Sequence, residues 1–360
     1  MATLLHFLST VFPPPRYLAL PTAGVDISTS GIKMALLEER REGLVLSDFA
    51  EYRYSANALV DGDIVEREAV LDSLKKLRDE HGIRTANVAL PESKSYLFEA
   101  RIESEAAGNM RLSVEQKLEE YVPLPPAEVV FDIVPVGSEK DVVRVAGVGY
   151  ARRVVLQFLS LCEEAGISVR ALESETFSLP RAVLPRGNPV TVLIIDVGKA
   201  TTKLSIIAGR IPLYATTLTI GGHALTLAVQ KYFGVTEEEA TRVKLERGIA
   251  LGQGNQEYLE AMLSTVSAIR EEIGRHLEYW QTKGNRALGH EPVSRAIMVG
   301  GNANVRGLPE YFEAGLKIPV TLADVFTNLA SRDLWLPSID YMHSLGYATA
   351  IGLALREYAP

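Results

Sequence analysis

Cysteine is almost absent: Cys162 is the only one in 360 residues. No intrachain disulfide can form, which fits a reducing cytoplasm. The apolar run 154-VVLQFLSLC-162 reads as a buried helix face carrying an inert core thiol. Positive charge is also in deficit, with 37 Lys and Arg against 45 Asp and Glu and a net charge of −8. That excludes a general nucleic-acid binder, which needs a basic face. No stretch approaches the roughly 20 apolar residues that span a membrane. There is no G-x-x-x-x-G-K-[ST] loop, which excludes P-loop chemistry, and no G-x-S-x-G element, which argues against an α/β-hydrolase. The six histidines show no metal-ligand spacing. The G-x-G in 145-VAGVGYAR-152 lacks its third glycine, Arg152 standing there, so it is a poor dinucleotide fingerprint.

Hydrophobic residues make up 47% of the chain, enough for real cores and too many for disorder. The length suggests two or three domains, or one large two-lobed unit. The opening segment MATLLHFLSTVFPPPR lacks the basic region and cleavage site of a signal peptide. It also lacks the Lys/Arg face of a membrane-surface helix, and the triple proline at 13–15 stops any helix. It reads as a docking segment over 1–19.

Beyond it the pattern predicts strands at 24–27, 32–38 and 44–54, a helix near 66–81, and strands at 86–90 and 95–102. A helix at 114–121 follows, with Ser113 and Gln116 at capping-box spacing. Strands at 129–136 and 141–150 lead to a helix at 151–165 closed by Gly166. A helix at 174–184 and the turn 185-PRGNP-189 open a second half. There the pattern predicts strands at 190–196, 203–209 and 211–220, and helices at 223–233 and from Thr236 to Gly248. A long helix at 256–283, a strand at 294–301 and helices at 307–315 and 345–358 complete it. The division expected is one lobe over 20–97 plus 326–360, an inserted α+β block over 98–170, a connecting helix in 171–189, and a second lobe over 190–325.

The two halves open alike. The stretch 24-GVDISTSGIK-33 is a strand, an Asp, a small-residue turn and a second strand, and 194-IIDVGKATTKL-204 repeats that order. A Ser/Thr/Gly turn needs no ligand by itself. Two such turns facing each other can offer amides and hydroxyls to a polyphosphate. Asp26 and Asp196 can then hold a hydrated Mg2+ between them, since that ion prefers oxygen ligands and keeps most of its waters. Thr201 and Thr202 supply hydroxyls, and Lys33 supplies charge. A third glycine turn, in 299-VGGNANVRG-307, lets backbone lie flat against a purine.

These motifs resemble the actin-like ATPase superfamily. The segments 221-GGHALTLAVQKYFG-234, 297-IMVGGNANVRGLPEYF-312, 115-EQKLEEYVPLPPAEVVFDI-133 and 346-GYATAIGLALR-356 are similar to the PilM family of type IV pilus assembly proteins, relatives of FtsA. The resemblance covers about residues 20–357. It implies an α/β, actin-like (ribonuclease H-like) two-lobed fold that binds ATP with Mg2+. Asp26, Ser28, Thr29, Ser30 and Lys33 would line the first phosphate loop, and Asp196, Gly198, Thr201 and Thr202 the second. Gly300, Gly301 and Asn302 would border the purine and ribose, and Lys244 would reach the nucleoside. Asp26 and Asp196 would serve the metal, and Asp196 would orient water in any slow hydrolysis. Two positions depart from the pattern: Ser28 replaces a Gly common in relatives, and Thr241 stands where the helix motif has Glu.

The family implies a cytoplasmic platform component, peripheral to the inner membrane. Its partner would be a PilN-like bitopic membrane protein, gripped by its cytoplasmic N-terminus, alongside other platform proteins and copies of itself. A groove between the strand 141–150 and the helix 114–121 is expected to take that peptide. Two alternatives remain. An FtsA-like filament-forming tether would carry a basic amphipathic tail, whereas the sequence ends in LREYAP. A small-molecule kinase would carry a sugar-facing Asp in a second pocket, and no such residue stands out.

Overall fold

The computed structural model describes residues 21–54, 58–103, 109–139, 141–252, 254–284 and 290–358. The expected docking segment lies outside the described residues. The first half begins with β1 (Thr22–Ser28), β2 (Gly31–Arg40) and β3 (Gly43–Tyr52), then the two-residue strands β4 (Leu59–Val60) and β5 (Asp63–Ile64). Helix α1 (Arg67–His81) and β6 (Thr85–Leu90) follow. Every residue of β6 is buried, and so is every residue of β1 except Ser28. Burial at successive positions, on both sides of each strand, marks strands covered on both faces.

Next comes a smaller unit of β7 (Ser95–Glu103), the short helices α2 (Met110–Glu115) and α3 (Leu118–Tyr121), β8 (Val129–Glu139) and β9 (Val142–Ala151). Helix α4 (Arg152–Glu164) and β10 (Ser168–Ser174) return to the first half, and helix α5 (Glu175–Val183) leaves it. The second half holds β11 (Val192–Val197), β12 (Thr202–Ala208), β13 (Ile211–Leu218), helices α6 (Gly222–Phe233), α7 (Glu237–Glu246) and α8 (Gln256–Tyr279), β14 (Arg295–Val299), helix α9 (Leu308–Leu316) and β15 (Val320–Leu322). Helix α10 (Ala348–Ala354) closes the described chain, flanked by 3-10 turns.

The two main sheets have the same plan. The first runs β10-β6-β1-β2-β3 and the second β15-β14-β11-β12-β13. In each, a central strand pairs antiparallel with the next strand in sequence and parallel with a later one. Helices α5 and α10 pack on each other, and α10 also packs on β1 and β2. One apolar core runs from Ala35, Leu37 and Leu46 of the first sheet through α5 and α10 into the whole second half. A second core lies between the first sheet and α1 and α4.

The inserted unit is smaller than the sequence suggests. Val154, Phe158, Leu161 and Cys162 of α4 are buried in the first-half core, and β10 pairs parallel with β6. The insert therefore covers about residues 95–151. Strand β10 escapes a periodicity reading because Arg170 and Glu173 interrupt a short run. Cys162 is fully buried, and burial pushes its thiol up to about 12, as an inert core thiol requires. The helix expected at 114–121 is two short helices, and Ser113 lies inside the first, its hydroxyl donating back to the Asn109 carbonyl. The expected groove beside it is filled. β9 is the middle strand of the sheet β7-β9-β8, and Val145 packs with Val114, Leu118 and Phe98 in a closed core. By contrast, the Thr236 hydroxyl accepts from the Glu239 amide at 3.3 Å, the N-cap its spacing predicts.

Candidate functional site

The hairpins β1–β2 and β11–β12 end at one cleft between the two halves, with a volume of about 1050 Å³. Register fixes what each hairpin presents. Asp26 pairs with Lys33 across β1–β2, and Asp196 pairs with Lys203 across β11–β12. Paired residues project on the same face of a sheet, so each hairpin aims one carboxylate and one ammonium together. All four line the cleft.

Asp26 is 7% exposed, and its Oδ1 is buried without a protein partner. Burial pushes this carboxyl above its ordinary value; Lys33 and Lys203 oppose the shift, and the charge of Asp196 adds to it. The first turn is built from hydroxyls. Ser28 Oγ lies 3.1 Å from Ser30 Oγ and donates to the Gly31 carbonyl at 3.2 Å. Lys33 Nζ donates to Ser30 Oγ at 3.3 Å and stands 3.8 Å from Glu51.

The second turn is tied down by backbone. The Gly198 amide donates to the Thr201 carbonyl and the Gly222 amide to the Gly198 carbonyl, each at 2.9 Å. Gly300, at the end of β14, has φ +95°, and a Cβ there would stand 2.3 Å from Asp196 Oδ1. Glycine is therefore required for the strand to turn past the carboxylate. Asn302 locks the corner: its Nδ2 donates to the Gly198 carbonyl at 3.0 Å, and its Oδ1 accepts from Lys244 Nζ at 2.7 Å.

Of the residues singled out from sequence, Asp26, Ser28, Thr29, Ser30, Lys33, Asp196, Gly198, Thr201, Lys244, Gly300, Gly301 and Asn302 line this one cleft. Thr202 does not. It is fully buried, and its hydroxyl donates to the Ile220 carbonyl at 2.7 Å. It opens β12, and strand alternation sends it to the face opposite Lys203. Lys244 lines the wall but is spent within it. Its ammonium donates to the Gly222 carbonyl, Thr226 Oγ1 and Asn302 Oδ1, which uses all three of its donors. Burial pulls it down to about 8, with Lys199 adding. It braces the turn rather than offering a free charge. Tyr279 is half exposed, whereas Trp280 is core.

Sequence reasoning missed Lys203 and Glu175. Glu175 opens α5, is buried, and is ion-paired with Lys203 on the cleft floor. Burial pushes Glu175 up to about 7; Lys203 opposes this, and Asp26 and Asp196 add to it. Burial disfavours the charge of Lys203, but Glu175, Asp196 and Asp26 outweigh that and hold its ammonium well above the usual lysine range. The spacing from Asp26 to Lys33 equals that from Asp196 to Lys203, and that recurrence was the available signal.

The residues fit a polyphosphate bearing a flat base. Asp26 Oδ1 wants a cation, hydroxyl-bearing and glycine turns approach from both sides, and Gly301 leaves open space where a side chain would stand. Among the described residues, no group of three or more His, Cys, Asp or Glu could hold a metal ion. A divalent ion would therefore come as a companion of bound phosphates, with Asp26 and Asp196 the carboxylates that would hold it.

A family model described as type IV pilus assembly protein PilM matches residues 24–358. Among solved structures, the fold is similar to that of a PilM-PilN type IV pilus biogenesis complex, at TM-score 0.78 and 22% identity, covering 96% of this chain and 100% of that one. It is also similar to the ethanolamine utilization protein EutJ from Carboxydothermus hydrogenoformans, at TM-score 0.57 and 15% identity, covering 96% and 90%. MreB5 of Spiroplasma citri bound to ADP matches at TM-score 0.56 and 15% identity, covering 94% and 99%. These likenesses identify the architecture as the actin-like two-lobed fold.

Proposed function

The chain belongs to the type IV pilus assembly protein PilM family, and from that premise we propose that it is an ATP-binding component of the inner-membrane platform of a type IV pilus or related secretion system. The observation that carries the reading is the pair of hairpins that turn Asp26 and Asp196 into one cleft, with Asp26 Oδ1 buried and partnerless. The similarity to an MreB5 that is bound to ADP supports a nucleotide, and the similarity to a PilM in complex with PilN supports a PilN-like partner.

Ser28, Thr29, Ser30 and Lys33 hold the phosphates from one half and Gly198 and Thr201 from the other, while Asp26 and Asp196 would face a metal companion of those phosphates. Gly300, Gly301 and Asn302 form the floor under the nucleoside. When bound there, Mg2+ would supply further neutralisation of phosphate charge. Asp196 orients a water at the cleft floor, and turnover stays below the ~1 s⁻¹ at the low end of ordinary enzymes. The nucleotide acts by favouring a closed cleft, a difference in affinity between two arrangements of the halves.

Isothermal titration with ATP and Mg2+ tests the site. Binding is expected, and Asp196→Ala weakens it while leaving the fold intact. Folded wild-type protein that binds no ATP overturns the reading.

The partner is the cytoplasmic N-terminal segment of a PilN-like membrane protein, which keeps the chain cytoplasmic and peripheral to the membrane. Its surface lies on the insert at about 95–151, which a nucleotide-binding core does not need. Ser95 and Tyr150 are register partners, so residues 96–149 can be replaced by a short Gly/Ser linker. Anisotropy with a labelled peptide copying that segment is expected to show binding to the full chain and none to the shortened one. Equal affinity overturns the placement.

A further inference from the structure

Two lysines of the cleft are engaged very differently. Lys244 has all three donors engaged within the wall. Lys203 has one side-chain partner among the described residues, the Glu175 carboxylate, and its side chain is 21% exposed in the cleft. A lysine ammonium carries three donors, so two remain beside Asp26 and Asp196.

Resting on the nucleotide reading above, we propose that Lys203 is the cleft's own counter-cation. It bridges Glu175 to the terminal phosphates of the bound nucleotide, so that binding does not require a divalent ion.

The argument is one of charge and place. Asp26, Glu175 and Asp196 are among the carboxylates that line the cleft a polyphosphate would enter. Repulsion among them and the phosphates must be offset for binding to occur at all. Among the described residues no ready-made metal cage does this. Lys33 and Lys203 do, one from each hairpin, each held directly across from its aspartate by the sheet register. Lys33 is steadied by Ser30 and Glu51, and Lys203 by Glu175. Neither side chain has to be ordered when the ligand arrives, which lowers the entropic cost of binding. The two ammoniums approach from opposite halves, so a polyanion between them draws the halves together without a metal.

Calorimetric titration of the full chain with ATP, once in EDTA and once with Mg2+, reads the proposal. Wild type is expected to bind in EDTA within roughly tenfold of its affinity with Mg2+. Lys203→Met should lose roughly tenfold to a hundredfold in EDTA, the range for a charge-assisted hydrogen bond, and regain most of it with Mg2+. Lys203→Arg should keep metal-free binding. Circular dichroism and a thermal melt verify that each variant folds. Glu175→Gln keeps an acceptor for the ammonium while removing one negative charge from the cleft, so it should retain metal-free binding. Wild-type binding with Mg2+ but none in EDTA overturns this inference and leaves the nucleotide reading standing. No binding under either condition overturns both. A folded Lys203→Met matching wild type in EDTA also overturns it.

Discussion

The two sheets share one plan but finish their corresponding strands differently. β6 and β14 occupy the same place, each parallel to its hairpin's first strand. β14 ends in Gly300-Gly301, which opens backbone to the cleft. β6 ends in Pro91 and a 3-10 turn whose Glu92 is buried, accepting from the Ser174 hydroxyl at 2.6 Å and from the Thr176 hydroxyl. One half therefore spends this corner on access, and the other spends it on bracing the start of α5. The shared framework sets where the cleft lies, and the corner residues decide which half opens backbone to it.

Substitutions at these corners sharpen the contrast. The largest effect is expected at Gly300→Ala. Its positive φ and the 2.3 Å approach to Asp196 Oδ1 should cost about 2–4 kcal/mol in urea unfolding and abolish ATP binding. An unaffected midpoint would show that the corner yields easily.

Next is a dependence on pH. Burial raises Glu175 from 4.5 to about 7 and raises Asp26 in the same direction. The folded state then holds more protons than the unfolded one, so stability should fall as pH rises from about 4.5 to about 7, by about 1–3 kcal/mol. Glu175→Gln should flatten that slope, and an unchanged slope would assign it elsewhere.

A smaller difference separates the two aspartates. Asp26→Asn removes a buried carboxylate that lacks a partner on one oxygen and should stabilise the fold by about 1 kcal/mol at pH 7. Asp196→Asn, at a half-buried position, should stay within about 0.5 kcal/mol. Equal shifts would erase the asymmetry between the hairpins. The smallest effect belongs to Pro91→Ala, which should cost about 0.5–1 kcal/mol through the unfolded chain and leave ATP affinity unchanged.

Much of this was legible in the sequence because the hairpins are local. A strand, an Asp and a small-residue turn sit within ten residues, and their recurrence near 196 signals the second half. What escaped depends on long-range pairing. Lys203 is ordinary in a strand until register places it opposite Asp196. Glu175 reads as a helix start until its burial against Lys203 is seen. Thr202 looked like a second hydroxyl beside Thr201, but one step of strand alternation turns it toward Ile220. The peptide groove failed for a related reason: two short apolar elements with facing stripes close on each other before they leave room for a third.

Helix α10 lies so near β1 that a Cβ at Gly24 would stand 1.9 Å from the Ala350 carbonyl oxygen, and one at Gly352 would stand 2.1 Å from the Ser178 carbonyl oxygen. Asn87 of β6 also donates to the Leu353 carbonyl at 3.1 Å. The segment around residue 350 is thus a wall of the sheet begun near residue 22. During synthesis, β1 waits without that cover until more than three hundred further residues have left the ribosome. At ~5–20 residues per second the wait lasts on the order of half a minute. The second half can assemble most of its own sheet in that interval, so the cleft comes into being last.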